Sequence, residues 1–508
     1  MAAASETSSP VIRSLVPARI DRLGWSPFHT KMVMALGVAW VLDGLEITVA
    51  SSLTAQLTNP NALGMSASGV ADIATWYLIG QIIGALVFGR LSDKLGRRNL
   101  FMITLGVYLV GSGLTAATQA GAGGWVVYLY ITRIIAGAGI GGEYAAINSA
   151  IDEMIPARYR GRIDIAVNGT YWAGSILGTI GTLILLHNVS AGLGWRLAFL
   201  IGPVLGLCVI YVRRNLPESP RWQVMHGRAK EAEASIAQIE AEATKGGKSL
   251  PPLDESKAIE IVPAAQTGYL ALIKVLCLHY PSRSTLVAAL MITQSFLYNA
   301  IFFTYGLVLT IFFHVPAADT PYYLLAFAAG NLLGPLTIGR LFDTIGRKKM
   351  IAGTYILSGV LLVITAQLFK AGTLNATTQT LCWAVIFFFA SAGASAGYLT
   401  ASEVFPLEVR AQAIAVFFAI AQGFGSLGSH LYGHLIGDGS DPNKLYVGYL
   451  IGAGAMIVGG LVAAFLGVNA EGKSLEEVAS PLSMVRKAAS SISEKAPGGP
   501  LPGASGSP

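Results

Sequence analysis

Charged side chains are scarce in this chain of 508 residues: Asp, Glu, Lys and Arg together make up only 12% of it. A typical soluble domain carries about 25%. Hydrophobic residues make up 53%, and the mean hydropathy is +0.58. This composition excludes a soluble globular protein and predicts an integral membrane protein with many spans. The net charge of +6 indicates loop topology and contact with lipid headgroups rather than a nucleic-acid partner.

Cysteine is also rare, and the three cysteines show no motif spacing. This excludes a disulfide framework and predicts packing positions. No Walker sequence for nucleotide binding occurs, so ATP-driven pumping is not expected. The glycine-rich run at 137–142 lacks the preceding strand that a dinucleotide site requires, and it predicts helix packing instead. We therefore expect no enzyme activity, no catalytic residue, no metal site and no cofactor.

Long apolar runs are abundant, and runs of about 18 or more residues are candidate membrane spans. The predicted spans are 32–54, 70–89, 100–118, 125–147, 163–187, 196–213, 285–313, 322–340, 349–369, 379–401, 410–432 and 446–468. Lysines and arginines concentrate in alternate connections between these spans. The positive-inside rule then places both termini and the long central loop in the cytoplasm. We expect a multi-pass protein of the cell (inner) membrane, without a cleavable signal peptide.

The predicted fold is an all-α membrane protein in which two pseudo-symmetric halves contain six transmembrane helices each. The predicted parts are a cytoplasmic N-terminal segment (1–31), the first half (32–213), a cytoplasmic central loop (214–283), the second half (284–468) and a partly disordered tail (469–508). Within the central loop, residues 228–239 favour a short amphipathic surface helix, and residues 243–265 favour a loop.

A duplication at an offset of 250 residues (residue 89 to residue 339) is the most informative pattern. The segment Gly89–Arg98 recurs as Gly339–Lys348, and a Glu, Pro, Arg pattern beginning at Glu153 recurs at Glu403. Each copy joins two long apolar segments. Two homologous halves of membrane spans are typical of alternating-access transporters.

The duplicated loops carry charges that can pair with one another. The acidic members are Asp93, Glu153, Asp343 and Glu403, and the basic members are Arg97, Arg160, Arg347 and Arg410. We predict that they form a cytoplasmic gate, which holds the halves together in one state and must break in the other. The alternative is that they are ordinary solvated charges near the headgroups.

These motifs resemble those of the major facilitator superfamily, within its sugar-porter and metabolite:proton symporter group. The resemblance rests on the duplicated loops, on Pro217–Trp222 after span 6, on Ser402–Pro406 at the end of span 10, and on Gly472–Glu477. It covers about residues 42 to 478. The segments Gly194–Arg196 and Arg213–Pro217 look more like the organic-acid symporter branch.

Charged residues inside predicted spans are candidates for proton coupling, because ionised groups at this depth are costly. Asp43 and Glu46 lie in span 1, and Arg133 and Glu143 lie in span 4. The resemblance implies that Glu46 occupies the place of the family's proton-carrying carboxylate and that Arg133 is its partner. Facing an arginine favours the ionised carboxylate, and losing it favours proton uptake. The alternatives are a static ion pair and, for Asp43, capping or pairing near the span end.

The substrate-binding candidates come partly from the resemblance and partly from the chemistry of residues inside the predicted spans. They are Arg133, Asn168, Tyr171, Trp172, Ser175, Gln294, Tyr298, Asn299 and Tyr398. Gln294 and Asn299 match two amides of the sugar-porter signature, and amides suit a polyol. Ser175 and Tyr398 replace a Gln and a Trp of that family, which disfavours a hexose. The aromatic residues can instead line an aromatic cavity, or serve only as packing.

We therefore predict a secondary active transporter that moves a small polar metabolite, either an organic or aromatic acid or a sugar, by alternating access with proton symport. The expected partners are the substrate, protons and the lipid bilayer, with no nucleic acid, and the expected functional unit is a monomer. The alternatives are an exporter of a metabolite or drug, and a membrane nutrient sensor that retains the transporter fold without transporting.

Overall fold

In the computed structural model of the protein, the described residues are 12–53, 57, 63–65, 67–119, 124–213, 217–245, 249–261, 268–302, 304–316, 319–437, 439–480 and 482. Most of the predicted tail, from residue 483 onwards, lies outside them.

Within the described residues, twelve long helical segments follow the predicted spans, and we number them α1 to α12. They are α1 (Pro27–Ser52), α2 (Ala67–Leu95), α3 (Arg97–Ala116), α4 (Gly124–Met154), α5 (Ala157–Gly169 and Tyr171–Asn188), α6 (Ala191–Arg213), α7 (Pro281–Phe302, with a continuation Tyr305–Phe312), α8 (Thr320–Ile338), α9 (Arg347–Lys370), α10 (Ala376–Glu403), α11 (Arg410–Ile436) and α12 (Pro442–Leu466). In the described part of the chain, nine of these segments are long and apolar enough to cross a membrane, namely α1, α3, α4 and α7 to α12.

Shorter elements lie outside the twelve segments. They are the helices Val16–Asp21, Pro220–Met225, Ala229–Ala243, Tyr269–Lys274, Leu341–Thr344 and Leu475–Val478, the 3-10 turn Glu255–Lys257, the π-helical turn Val275–His279, and the strands β1 (Ile12–Ser14) and β2 (Ile259–Ile261). The strands pair antiparallel, with Ile12 opposite Ile261.

Two expectations about local structure need correction. The predicted loop 243–265 contains the 3-10 turn and β2, because its strand partner is a distant segment that leaves no local pattern. The predicted single span 285–313 is interrupted, since α7 ends at Phe302 and the helix resumes at Tyr305. The amphipathic helix predicted at 228–239 is confirmed as Ala229–Ala243.

The helices pack in two sets that repeat each other. In the first set α2 and α3 pack on α4, α1 packs on α5, and α3 packs on α6. In the second set α8 and α9 pack on α10, α7 packs on α11, and α9 packs on α12. The sets meet where α2 packs on α11 and where α5 packs on α8. The repeated contacts confirm the predicted pseudo-symmetric halves. A site between the halves is therefore flanked by helices of both.

Small residues allow the closest of these contacts. A Cβ on Gly84 of α2 would overlap the backbone of Ala138 in α4, and a Cβ on Gly334 of α8 would overlap the backbone of Phe388 in α10. These pairs are related by the same offset of 250 residues as the loop motifs (84 to 334, 138 to 388). In lipid, such close backbone packing holds helices together where hydrophobic exclusion cannot.

The outer surface of the bundle is apolar. Leu207 is 64% exposed and Phe465 is 78% exposed, although both are large hydrophobic residues. Most of the intramembrane polar residues named above, by contrast, are buried between helices. Apolar side chains outside and polar side chains inside are the arrangement that a lipid environment requires.

We predict that Gly84→Ala destabilises the protein by about 1–3 kcal/mol, because the new methyl group overpacks the α2–α4 contact. Gly106→Ala is the matched control: it also lies in a helix, but a Cβ there meets nothing within 4 Å. Thermal unfolding of both variants in detergent checks this. A melting temperature for Gly84→Ala equal to that of the control would contradict it.

Candidate functional site

Glu46 and Arg133 form an ion pair inside the first half. Both side chains are almost completely buried, and Arg133 donates to the Glu46 carboxylate. Ser112 also donates to this carboxylate at 2.6 Å and Tyr108 donates at 3.3 Å. The Arg133 guanidinium lies 4.6 Å from the centre of the Tyr77 ring. The partners that the sequence analysis expected are thus in contact, with a set of hydroxyl donors around them.

Asp43 lies one turn earlier on α1 and has different partners. Its carboxylate accepts a hydrogen bond from the Tyr144 hydroxyl of α4, and one from the Tyr77 hydroxyl of α2 at 3.4 Å. Asp43 is 3% exposed. Both of these hydrogen-bond donors are neutral hydroxyl groups, whereas Glu46 has a cation as its partner. The two acidic residues of α1 therefore occupy chemically distinct sites.

A cavity of about 130 Å³ lies between the halves. Its aromatic lining consists of Trp40, Tyr144, Tyr171, Trp172, Tyr298, Phe302, Tyr398 and Phe418, and its amide lining consists of Asn168, Gln294, Asn299 and Gln422. Ile47, Leu78, Ser295, Ser391, Ala394 and Ser395 complete the lining. None of these residues is ionisable near neutral pH. This volume is close to the ~150 Å³ of an apolar cavity that binds benzene, so the cavity is comparable in size to a single six-membered ring.

Several amide groups of this lining are already hydrogen-bonded to the protein. Asn299 donates to the Ser295 carbonyl at 2.8 Å, and Gln422 donates to Gln81 at 2.7 Å. Asn168 donates to Asn148 at 3.1 Å, but its own buried carbonyl oxygen accepts no hydrogen bond. The cavity therefore offers mainly aromatic faces, because several of its amide donors are already used within the protein.

Seven of the nine substrate-binding candidates line this cavity: Asn168, Tyr171, Trp172, Gln294, Tyr298, Asn299 and Tyr398. The other two do not. Arg133 is bound to Glu46, and Ser175 accepts a hydrogen bond from Thr48 at 2.9 Å in the contact between α5 and α1. In this state of the protein, neither side chain reaches the cavity.

The duplicated loop charges meet at one end of the bundle, and we name Arg97, Glu153, Arg160, Asp343, Arg347, Glu403 and Arg410 the charge cluster. Arg97 binds Glu153 at 2.9 Å. In the second half, Arg347 binds Glu403 at 3.0 Å and Asp343 at 2.6 Å. The side chain of Asp93, the remaining member of the predicted gate, lies outside the described residues.

Arg160 connects the halves across this cluster. It is fully buried and lies 3.5 Å from Glu403, which belongs to the second half. The backbone amide of Arg162 donates to Asp343 at 2.8 Å, also across the halves. Between them, Gly161 has no room for a Cβ, which would overlap Asp343 and Arg347. Arg410 instead donates to the carbonyl of Phe405 at 3.1 Å.

Comparison with known proteins identifies the family. The model of the Sugar (and other) transporter family matches residues 26–481. The chain belongs to this family. It is therefore a secondary transporter of small metabolites with the major facilitator superfamily fold, as the sequence predicted, and not an enzyme.

Individual relatives cover nearly the whole transporter. The niacin transporter NiaP of Acinetobacter baylyi is 25% identical over 462 residues, covering 91% of this chain and 99% of that protein. The glucose transporter GlcP of Staphylococcus epidermidis is 26% identical over 416 residues, covering 79% and 86%. The proton:xylose symporter XylE, bound to 6-bromo-6-deoxy-D-glucose, superposes with a TM-score of 0.74 at 19% identity, covering 89% and 98%.

Sequence reasoning missed two glutamates beside the charge cluster of this transporter. Glu218 accepts from the backbone amide of Arg97 at 2.9 Å, and Glu471 accepts from that of Arg347 at 3.3 Å. Each carboxylate thus binds the first turn of α3 or α9, where the helix dipole favours a negative charge. Burial raises the pKa of Glu218, although three backbone amides donate to it. Glu218 lies in a motif that the sequence analysis used only for the family resemblance.

A second missed group is connected to the charge cluster through Asp21, which lies 3.9 Å from Arg160. Asp21, in the short helix before α1, accepts from the backbone amide of Ala157 and from Arg221, both at 3.1 Å. Arg221 also lies 3.3 Å from Glu476. These residues fall outside the duplicated motifs, so the repeat could not reveal them.

The cavity residues Trp40, Tyr144, Phe418 and Gln422 were also missed. Trp40 precedes Asp43 by three residues, which places both on one face of α1, and this spacing was a usable signal. Tyr144 follows the intramembrane Glu143 directly. For Phe418 and Gln422 the sequence offers no comparable signal, because α11 contains other aromatic and polar residues that do not reach the cavity.

We predict that Arg160→Ala weakens closure at the charge cluster, because it leaves Glu403 without its partner from the other half. In a variant without native cysteines, a cysteine at the fully buried Ser402 reports closure. Its reaction with a membrane-impermeant thiol reagent should become several-fold faster. Arg162→Ala is the control, since that exposed side chain stacks on Tyr159. Equal rates in both variants would contradict the gate.

Proposed function

We propose that this transporter imports a small single-ring aromatic metabolite across the inner membrane by proton symport. The observation that carries the proposal is the aromatic cavity between the halves, beside two buried carboxylates on α1. Both termini and the charge cluster lie on the cytoplasmic side in this proposal, following the distribution of lysine and arginine. The proposal also places the two halves at residues 32–213 and 284–468. It takes a monomer as the functional unit.

The lining favours a planar ring as the substrate. Trp172 packs against Tyr298 with ring centres 5.8 Å apart, and against Phe302 at 5.4 Å. Aromatic rings prefer such offset and edge-to-face arrangements, and a ligand ring can join them. The similarity to a niacin transporter supports the same class of substrate.

In this proposal, proton coupling depends on two environments of Glu46, one with Arg133 as its partner and one without it. In the present arrangement Arg133 pairs with the carboxylate of Glu46, and an arginine partner in general favours the ionised form of a carboxylate. If the pair separates during the transport cycle, burial favours protonation instead. Alternation between these surroundings lets Glu46 take up a proton on one side and release it on the other. Asp43 is a second proton site, bound by neutral hydroxyl groups.

A monosaccharide is the second candidate substrate. Gln294 and Asn299 line the cavity as the sugar-porter signature requires, and the glucose transporter GlcP is among the relatives. Several donors of the amide lining are bound within the protein, however, and a polyol needs many free partners. Export of the metabolite is the alternative direction of transport, and a transport assay distinguishes it from import.

The proposal is tested by uptake of labelled nicotinate, benzoate and glucose into proteoliposomes with an imposed proton gradient. We expect accumulation of an aromatic compound above the equilibrium level. Glu46→Gln should abolish accumulation but retain exchange, because the amide can hydrogen-bond but cannot titrate. Full accumulation by this variant would exclude Glu46 as the proton carrier. Accumulation of glucose alone would favour the second candidate.

Arg133→Lys gives a further prediction about the substrate. Because Arg133 is bound to Glu46 and does not line the cavity, the substitution should change the affinity for an aromatic acid and for its amide by the same factor. Calorimetric titration with nicotinate and nicotinamide measures both. A loss of more than about tenfold for the acid alone would mean that the guanidinium binds the carboxylate directly.

A further inference from the structure

Four aromatic side chains from both halves meet at one end of the cavity, and we name them the ring cluster: Trp40, Tyr144, Tyr398 and Phe418. The Tyr144 ring stacks on Phe418 with the ring centres 4.2 Å apart. Trp40 lies edge-on to Tyr144 at 4.5 Å and to Tyr398 at 5.7 Å. Trp40 and Tyr144 belong to the first half, and the other two belong to the second, so the rings bridge the boundary between the halves.

The ring cluster lies between the cavity and the charge cluster. Tyr398 precedes Glu403 by five residues on α10, and Tyr144 precedes Glu153 by nine residues on α4. At ~1.5 Å per residue, these separations are about 8 and 14 Å along the helices. Phe302, another lining residue, ends the main segment of α7, whereas Arg283 near the beginning of that segment donates to the carbonyl of Val404, the residue after Glu403. A substrate that leaves towards the charge cluster must therefore pass the rings.

Tyr144 is the member of the ring cluster that contacts a carboxylate. Its hydroxyl group donates to Asp43, while its ring stacks across the boundary on Phe418. One side chain thus contacts a titratable group in the first half and the closing surface of the second half.

The groups around Asp43 come from five helices. They are Glu46 on α1, Tyr77 on α2, Glu143 and Tyr144 on α4, Tyr171 on α5 and Tyr398 on α10. The cation nearby, Arg133, is bound to Glu46. The tyrosine hydroxyls of Tyr77 and Tyr144 donate hydrogen bonds to Asp43. Protonation of Asp43 therefore changes mainly the strength of these hydrogen bonds.

We propose that Tyr144 is the positioning residue that couples protonation of Asp43 to opening of the cavity towards the charge cluster. Ionised Asp43 holds the hydroxyl group and keeps the ring against Phe418. Protonated Asp43 binds it more weakly, because hydrogen bonds to a charged acceptor are roughly twice as strong as those between neutral groups. The ring is then released and the halves separate there. The inference rests on the proposed proton symport. It explains how protonation of Asp43 opens the cavity towards the charge cluster.

The test measures the separation of the halves directly and needs no substrate. Spin labels are attached to cysteines at Asn99 and Lys349, two exposed positions at the beginnings of α3 and α9, in a variant without native cysteines. Pulsed electron paramagnetic resonance measures the distribution of distances between the two labels at pH values from 5 to 9. In the parent protein, the long-distance fraction should increase as the pH falls and Asp43 takes up a proton.

Tyr144→Phe keeps the ring but removes the hydroxyl group. It should raise the ratio of open to closed molecules at pH 9 by roughly tenfold, the expected difference between a charge-assisted bond and its absence, and should abolish the pH dependence. Asp43→Asn should do the same, and Phe418→Leu should raise the open fraction at every pH. Tyr432→Phe is the control, because it removes a buried hydroxyl that donates to Gly448, away from the cavity.

A parental pH response in Tyr144→Phe would overturn the inference, and so would a parent protein whose distances do not change with pH. The proposed symport fails by a different result, which is the absence of proton-driven uptake in proteoliposomes. If Tyr144→Phe does not fold, Asp43→Asn and Phe418→Leu decide, since they act on the two partners of the same side chain.

Discussion

A charge buried between helices must have a partner, because neither lipid nor the packed interior can solvate it. This constraint organises the transporter. Arg133 is paired with Glu46 within the first half, so that pair does not depend on contact between the halves. Arg160 has its closest acidic partner, Glu403, in the other half. That contact exists only while the halves are together at the charge cluster. The interaction energy that is lost when the halves separate must therefore be compensated elsewhere, by substrate binding, by proton binding or by new contacts.

The pseudo-symmetry of the scaffold does not extend to the chemistry. Packing glycines and loop charges repeat with an offset of 250 residues (89 to 339), but the same offset places Trp383 opposite Arg133 and Ala394 opposite Tyr144. The segment Pro281–Phe302 of α7, the counterpart of α1, contains no acidic residue. The titratable groups that we assign to proton coupling are therefore confined to the first half, while Gln294 and Asn299 come from the second.

Sequence patterns predicted the architecture well, because span length, the loop repeat and glycine spacing are local properties that lipid imposes on the chain. The family resemblance implied the Glu46–Arg133 pair, and the structure contains it. The sequence patterns did not predict which polar residues face the cavity. Ser175 turns towards α1 rather than the substrate, and Phe418 reaches the cavity from an unremarkable stretch of α11. Those outcomes depend on how each helix is rotated about its axis.

The division of roles between the halves also explains why coupling needs no long pathway. The carboxylates of α1 lie in the first half, and the ring cluster joins that half to Tyr398 and Phe418 of the second. Tyr144 contacts both a carboxylate and the boundary. A rigid rotation of one half relative to the other therefore changes the surroundings of Asp43 and the closure of the cavity in the same step. Two events that share one side chain cannot be independent, and that dependence is what proton-coupled transport requires.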